Sequence, residues 1–236
     1  MTAERKRVIV LISGRGSNMA ALIEAAKEDT YPAEIVGVLT DKPDAQGLKI
    51  AEANGLPTRI LARSDFPNKV VHEAAIEEAL RDFGAEIVAL AGYMRLLSPA
   101  FVGRWAGRLL NIHPALLPCF TGLDTHRRAI EAGVRVHGCT VHFVTAATDS
   151  GPIIAQAAVP VLLSDDEASL SARVLKAEHR LYPMALALVC RGEARMSGSR
   201  TAFALPGKER GDVAPIVSPE FSNPIPNVED LARFTP

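Results

Sequence analysis

Apolar residues along this chain fall into short continuous runs separated by stretches of helical periodicity. Arg7 to Ser13, Glu34 to Thr40 and Glu86 to Ala91 are runs of β-branched residues, Leu and Ala without polar alternation. Such runs predict strands buried on both faces. Thr58 to Leu61 and Arg108 to His113 read as further strands. Between them, Met19, Leu22 and Ile23 recur at helical spacing up to about Lys27, with Ser17 or Asn18 predicted as N-cap. Ala45 to Asn54 is predicted as a helix stopped by Gly55. Asn68 to Phe83 is a longer one, with Val71, Ala75, Ile76, Ala79 and Leu80 on one face and Gly84 at its end. Ser98-Pro99 is a helix start, and Pro99 to Trp105 a short helix. Asp124 to Ala132 and Glu167 to Val189 are the last helices, with Pro183 expected to kink or split the latter. Val136 to Val144 alternates, with His137, Cys139, Val141 and Phe143 on one face and Thr140, His142 and Val144 on the other. Ile153 to Val161 follows so closely that the pair reads as an antiparallel hairpin. Strand–helix alternation with right-handed crossovers predicts an α/β fold, a doubly wound, mostly parallel sheet with that hairpin at its edge.

Composition narrows the class. With 236 residues, 48% of them hydrophobic, the chain can bury one sizeable core. Residues 1–190 are expected to form that domain. Residues 191–236, proline-rich and short of periodic apolar positions, are expected to be a C-terminal extension, packed on the surface or partly disordered. A net charge of −1 and a pI near 6.6 give no footprint for nucleic acid or an anionic membrane. The apolar runs are too short to span a bilayer. Val8 to Ile12, cut short by Ser13-Gly14-Arg15-Gly16, fits a first strand better than a signal sequence. Three widely spaced cysteines suit neither a disulfide framework nor a metal site, so a reduced cytoplasmic protein is expected.

The chemistry concentrates where the strands end. Leu109 to Ile112 runs into His113-Pro114 and then Pro118. Alternation sends Asn111 and His113 to the same side, and Pro114 ends the strand there. Open α/β sheets hold ligands at this carboxyl edge. Ser13-Gly14-Arg15-Gly16-Ser17-Asn18 lies between a strand and a helix, where free N–H groups and the helix dipole make an anion site. It lacks the third glycine of a dinucleotide turn and the lysine of a P-loop, and a plain tight turn explains it about as well. Met94, Leu96 and Leu97 lie in a loop that either lines a pocket for a flat ligand or packs on the sheet. Asp149 sits in the small-residue loop Thr145 to Pro152. A titratable imidazole, an amide donor and a carboxylate suit acyl transfer between two bound substrates without a covalent intermediate. No His or Cys pair has metal spacing. The residue types alone leave open that each makes only local hydrogen bonds.

Five stretches occur in one order: Ile12 to Asn18, Leu90 to Pro99, Leu110 to Pro118, His137 to Val144, and Asp149 to Ile154. Together they resemble the phosphoribosylglycinamide formyltransferases, folate-dependent enzymes of purine synthesis, over residues 7–190. The Asn-x-His-Pro…Asp set alone would indicate only the wider group of formyl-folate transferases and hydrolases. The resemblance implies a Rossmann-like formyltransferase fold and a catalytic trio of Asn111, His113 and Asp149. It further implies that Gly16, Ser17 and Asn18 hold the ribonucleotide phosphate, that Glu178 holds the ribonucleotide, and that Lys176 reaches its phosphate. Met94, Arg95, Leu96 and Leu97 match the folate loop, and Thr145, Ala146, Ala147 and Thr148 the loop closing over the pterin. Lys69 is implied near the folate tail. Arg15 and Ala115 depart from the residues usual in relatives. The implied reaction moves a formyl group from 10-formyltetrahydrofolate, as co-substrate, to the amine of glycinamide ribonucleotide, with small-molecule partners, no metal, and a homodimer compatible with the reading. The alternatives are a deformylase using water, a non-catalytic nucleotide-binding module, and a dehydrogenase reading Asp41 as a ribose-binding acid.

Overall fold

A computed structural model describes residues 5–204 and Ser218. Seven strands form one sheet in the order β3-β2-β1-β4-β5-β6-β7. They are β1 (Lys6–Ile12), β2 (Ala33–Thr40), β3 (Thr58–Ile60), β4 (Ile87–Leu90), β5 (Leu109–His113), β6 (Val136–Phe143) and β7 (Ile153–Pro160). The first five run parallel; β6 is antiparallel to β5 and to β7. The expected doubly wound sheet with an antiparallel edge is therefore the fold.

The two-residue period of β1 shows why both faces must be covered. Val8, Val10 and Ile12 enter the core under α1 (Ser17–Ala26) and α6 (Glu167–Cys190), while Ile9 and Leu11 enter a second core under α3 (Lys69–Asp82) and α4 (Pro99–Arg104). All five are fully buried. The remaining helices are α2 (Gly47–Ala53) and α5 (Thr125–Glu131). Strand order reverses between β1 and β4, and the loops leaving β1, β4 and β5 gather at that switch point.

Two local expectations are corrected. The N-cap of α1 is Gly16, not Ser17 or Asn18, and no side chain caps it. Gly16 has φ +74°, and a Cβ there would lie 2.7 Å from Gly47 Cα, so the close approach of α2 demands glycine. The Gly47 N–H also donates to Gly14 O at 3.0 Å, fixing the turn from outside. Next, Pro183 does not split α6, which continues to Cys190. An Asp166–Ser169 capping box starts that helix. The start of the expected extension folds into a hairpin. Ala194–Ser197 and Arg200–Phe203 form a two-stranded hairpin, β8–β9, whose strands approach α6 and β7. The proline-rich remainder of the expected extension lies outside the described residues, apart from Ser218.

One side chain of α6 ties the strands that carry the site. Tyr182 is fully buried, and its hydroxyl lies 3.0 Å from Leu90 O, the last residue of β4, and 3.3 Å from Leu110 O, within β5. Tyr182→Phe keeps the ring and strips both carbonyls of this donor. It is expected to cost about 1–2 kcal/mol, read as a lower urea midpoint with an unchanged slope.

Candidate active site

At the carboxyl end of β5, Asn111 and His113 face one cavity of about 800 Å³, as their spacing predicts. The antiparallel register sets His142 of β6 directly opposite Asn111. His142 Nδ1 lies 2.9 Å from the Phe143 carbonyl, so that nitrogen carries the hydrogen. Burial pushes the His142 pKa down, which keeps the ring neutral and its Nε2 an acceptor. Asn111 Nδ2 therefore donates to His142 Nε2 at 3.2 Å. This fixes the amide orientation and leaves the second amide hydrogen without a partner among the described residues.

His113 is buried and sits between two acceptors. Its Nε2 donates to Phe120 O at 2.9 Å, and its Nδ1 is 3.5 Å from Asp149 Oδ2. Asp149, 11% exposed, also takes the Gly122 N–H on Oδ2 at 2.8 Å and lies 3.9 Å from His142 Nε2. Three non-glycine residues here have positive φ: Phe120, Asp124 and Asp149, at 53°, 55° and 50°. The two loops thus turn sharply to bring one carbonyl and one carboxylate onto one imidazole. That convergence connects residues 36 apart in sequence and is the central fact of the site.

The glycine-rich turn forms another wall. Gly14 to Asn18 line the cavity together with Glu178 of α6. Asn18 Nδ2 donates to Glu178 Oε2 at 2.6 Å, while Asn18 Oδ1 is buried and unpartnered. Burial raises the Glu178 pKa from 4.5, against the opposing effects of Asn18 and Arg15. The folded state therefore holds the Glu178 proton more tightly than the unfolded chain, and stability from this group is lost as pH rises from about the unfolded value through the higher folded one. Glu178→Gln is expected to raise the melting temperature of the unliganded protein at pH 7, and to leave it little changed at pH values below that window.

Met94, Arg95, Leu96 and Leu97 line the far end of the cavity, joined by Val144, Thr145, Ala146 and Thr148. Met94 and Leu96 are 64% and 72% exposed, an apolar display unusual for a loop and suited to a flat ligand. Buried Glu73 of α3 accepts from the Ser98 N–H at 2.7 Å and from its hydroxyl, anchoring the end of this loop. Ala147, Lys176 and Lys69 do not line the cavity. Lys176 is exposed on α6, and Lys69 is half-exposed, 3.8 Å from Glu73. Sequence reasoning gave no role to His142, Phe120 or Gly122. The alternation of β6 placed His142 on a face, but only the register shows Asn111 as its partner.

Residues 6–186 match the family described as formyl transferase. Phosphoribosylglycinamide formyltransferase of Escherichia coli (strain K12) is 44% identical over 189 residues, covering 80% of this chain and 89% of that protein. The trifunctional purine biosynthetic protein adenosine-3 of Gallus gallus is 47% identical over 190 residues, 80% of this chain; the chain spans only 19% of that longer protein's length. Among solved structures, phosphoribosylglycinamide formyltransferase from Brucella melitensis is 55% identical, covers 82% of this chain and all of its own, and superposes with a TM-score of 0.77. A formyltetrahydrofolate deformylase from Pseudomonas syringae pv. tomato superposes at 0.79 with 25% identity, over 86% of this chain and 67% of its own. The chain belongs to the formyl transferase family, within its phosphoribosylglycinamide formyltransferase branch.

Proposed function

We propose that the chain transfers the formyl group of 10-formyltetrahydrofolate to the primary amine of glycinamide ribonucleotide. The observation that carries this reading is the convergence of Asn111, His113 and Asp149 between two unlike walls of one cavity. The Gly14–Asn18 turn, with Asn18 and Glu178, offers backbone N–H groups and a buried carboxylate for a phosphorylated, hydroxyl-rich and amine-bearing ligand. The Met94–Leu97 loop offers apolar surface for a pterin.

The amine attacks the formyl carbon, and negative charge grows on the formyl oxygen. The partnerless amide hydrogen of Asn111 is the donor poised for that oxygen, held in place by His142. His113 becomes a second donor when its Nε2 hydrogen leaves the Phe120 carbonyl for the substrate oxygen. Asp149 holds the imidazole from Nδ1 and takes part in moving a proton from the amine to the leaving nitrogen. Collapse of the tetrahedral adduct expels the folate nitrogen and leaves the formamide on the ribonucleotide.

A deformylase would use water in place of the amine. Closer identity to the transferases, 35–55% against 25% for the deformylase, supports the amine acceptor. The test follows the absorbance of the deformylated folate with purified protein, with and without glycinamide ribonucleotide. Product formation that depends on the ribonucleotide is expected; equal rates without it would assign the deformylase. The Glu178→Gln variant, stabilised when unliganded, is expected to need a higher ribonucleotide concentration for half-maximal rate.

A further inference from the structure

We infer that Asp41 is a positioning residue that sets the folate wall of the site without touching either substrate. Asp41 follows β2 directly, and its side chain is 1% exposed yet does not line the main cavity. Its two carboxylate oxygens are divided between two elements. Oδ1 accepts from the Ser13 hydroxyl at 2.5 Å, and Oδ2 accepts from Arg95 Nε at 2.6 Å. Ser13 in turn grips the same loop by its backbone and its side chain. Its N–H donates to Gly92 O at 3.1 Å, and its hydroxyl oxygen accepts the Met94 N–H at 2.9 Å. Three anchor points within four residues, Gly92, Met94 and Arg95, thus converge on one Ser13–Asp41 pair.

The consequence for ligand binding follows from what the loop displays. Met94 and Leu96 stand exposed, so apolar packing does not hold their side chains. Tyr93 and Leu97 pack the loop into the core under α3 and α4, and polar links on its inner side fix the segment between them, with Asp41 as the charged hub of those links. An acidic residue at this strand end has the place of a ribose-binding acid in dinucleotide folds, but here it is spent on Arg95. Arg95 lines the cavity while its Nε is committed to Asp41, so the loop's contribution to a ligand includes a backbone that this pair holds still. A preorganised wall binds its ligand without the ordering cost that a loose one incurs.

The inference rests on the transferase reading, and its test keeps the two separate. Asp41→Asn retains the volume and an acceptor for Ser13 but removes the charge from the Arg95 link. It is expected to raise the KM for 10-formyltetrahydrofolate about tenfold, the equivalent of one charge-assisted hydrogen bond. The kcat and the KM for glycinamide ribonucleotide are expected to stay within about twofold, because the catalytic trio is untouched. Ser13→Ala, which removes the Met94 link, is expected to move the same KM in the same direction. It serves if Asp41→Asn folds poorly. Asp41→Asn combined with Arg95→Gln is expected to be no worse than the worse single variant, since both break one link. An unchanged folate KM in stable Asp41→Asn and Ser13→Ala proteins would overturn the inference alone. So would parallel rises in both KM values with a matching loss of melting temperature, the mark of a merely structural role. A wild-type protein with no ribonucleotide-dependent transfer would overturn the inference together with the reading it rests on.

Discussion

His113→Ala is expected to lower kcat by roughly 10²–10³-fold, the loss seen when one preorganised donor to a developing oxyanion is removed. Asn111→Ala should lose a similar amount. In each variant the Gly14–Asn18 turn, Glu178 and the Met94–Leu97 loop remain, so half-saturating concentrations of both substrates should change far less than kcat. The two donors serve one oxygen, so the double variant should fall short of the product of the single losses. Steady-state kinetics on folded protein decide the matter. Near wild-type turnover in His113→Ala would remove the imidazole from the chemistry.

Asp149→Asn is expected to lower kcat by roughly 10²–10⁴-fold, the range contributed by a placed proton-transfer group. Asparagine is the informative replacement. It tolerates the backbone at φ +50°, fills the same space, and can still accept the Gly122 N–H through its amide oxygen. What it lacks is the negative charge 3.5 Å from His113 Nδ1. If Asp149 served only to join the two loops, the asparagine variant would keep most of its activity. A kcat within about threefold of wild type, below the range for a proton-transfer group, would therefore overturn its proposed role.

How far these residues could be read from the chain depends on the range of the forces that place them. Val8 to Ile12 and Ile87 to Leu90 declare themselves because a strand buried on both faces can carry only apolar side chains. Asn111 and His113 share a side because alternation is local. The capping of α1 was misread because the conformation of Gly16 answers to Gly47, a tertiary neighbour. The pairing of Asn111 with His142 needed the register of two antiparallel strands. The hairpin from Ala194 to Phe203 has two four-residue strands, too short for any period to emerge. Pro183 was expected to kink or split a helix that runs on unsplit to Cys190, packed against α1 and β6. Asp149 could be named from the chain, but its 3.5 Å approach to His113 depends on sharply turned loops that no propensity specifies.

The bond from Asn18 to Glu178 joins α1 to α6 across 160 residues. A ribonucleotide seated on both would act as a clasp on the whole chain rather than on one loop. Any opening that separates α1 from α6 would then have to release the ligand first. At a free concentration a hundredfold above its Kd, such a ligand adds about 2.7 kcal/mol to the stability of the folded form. The supply of that ligand would thereby set how readily proteases reach the opened chain.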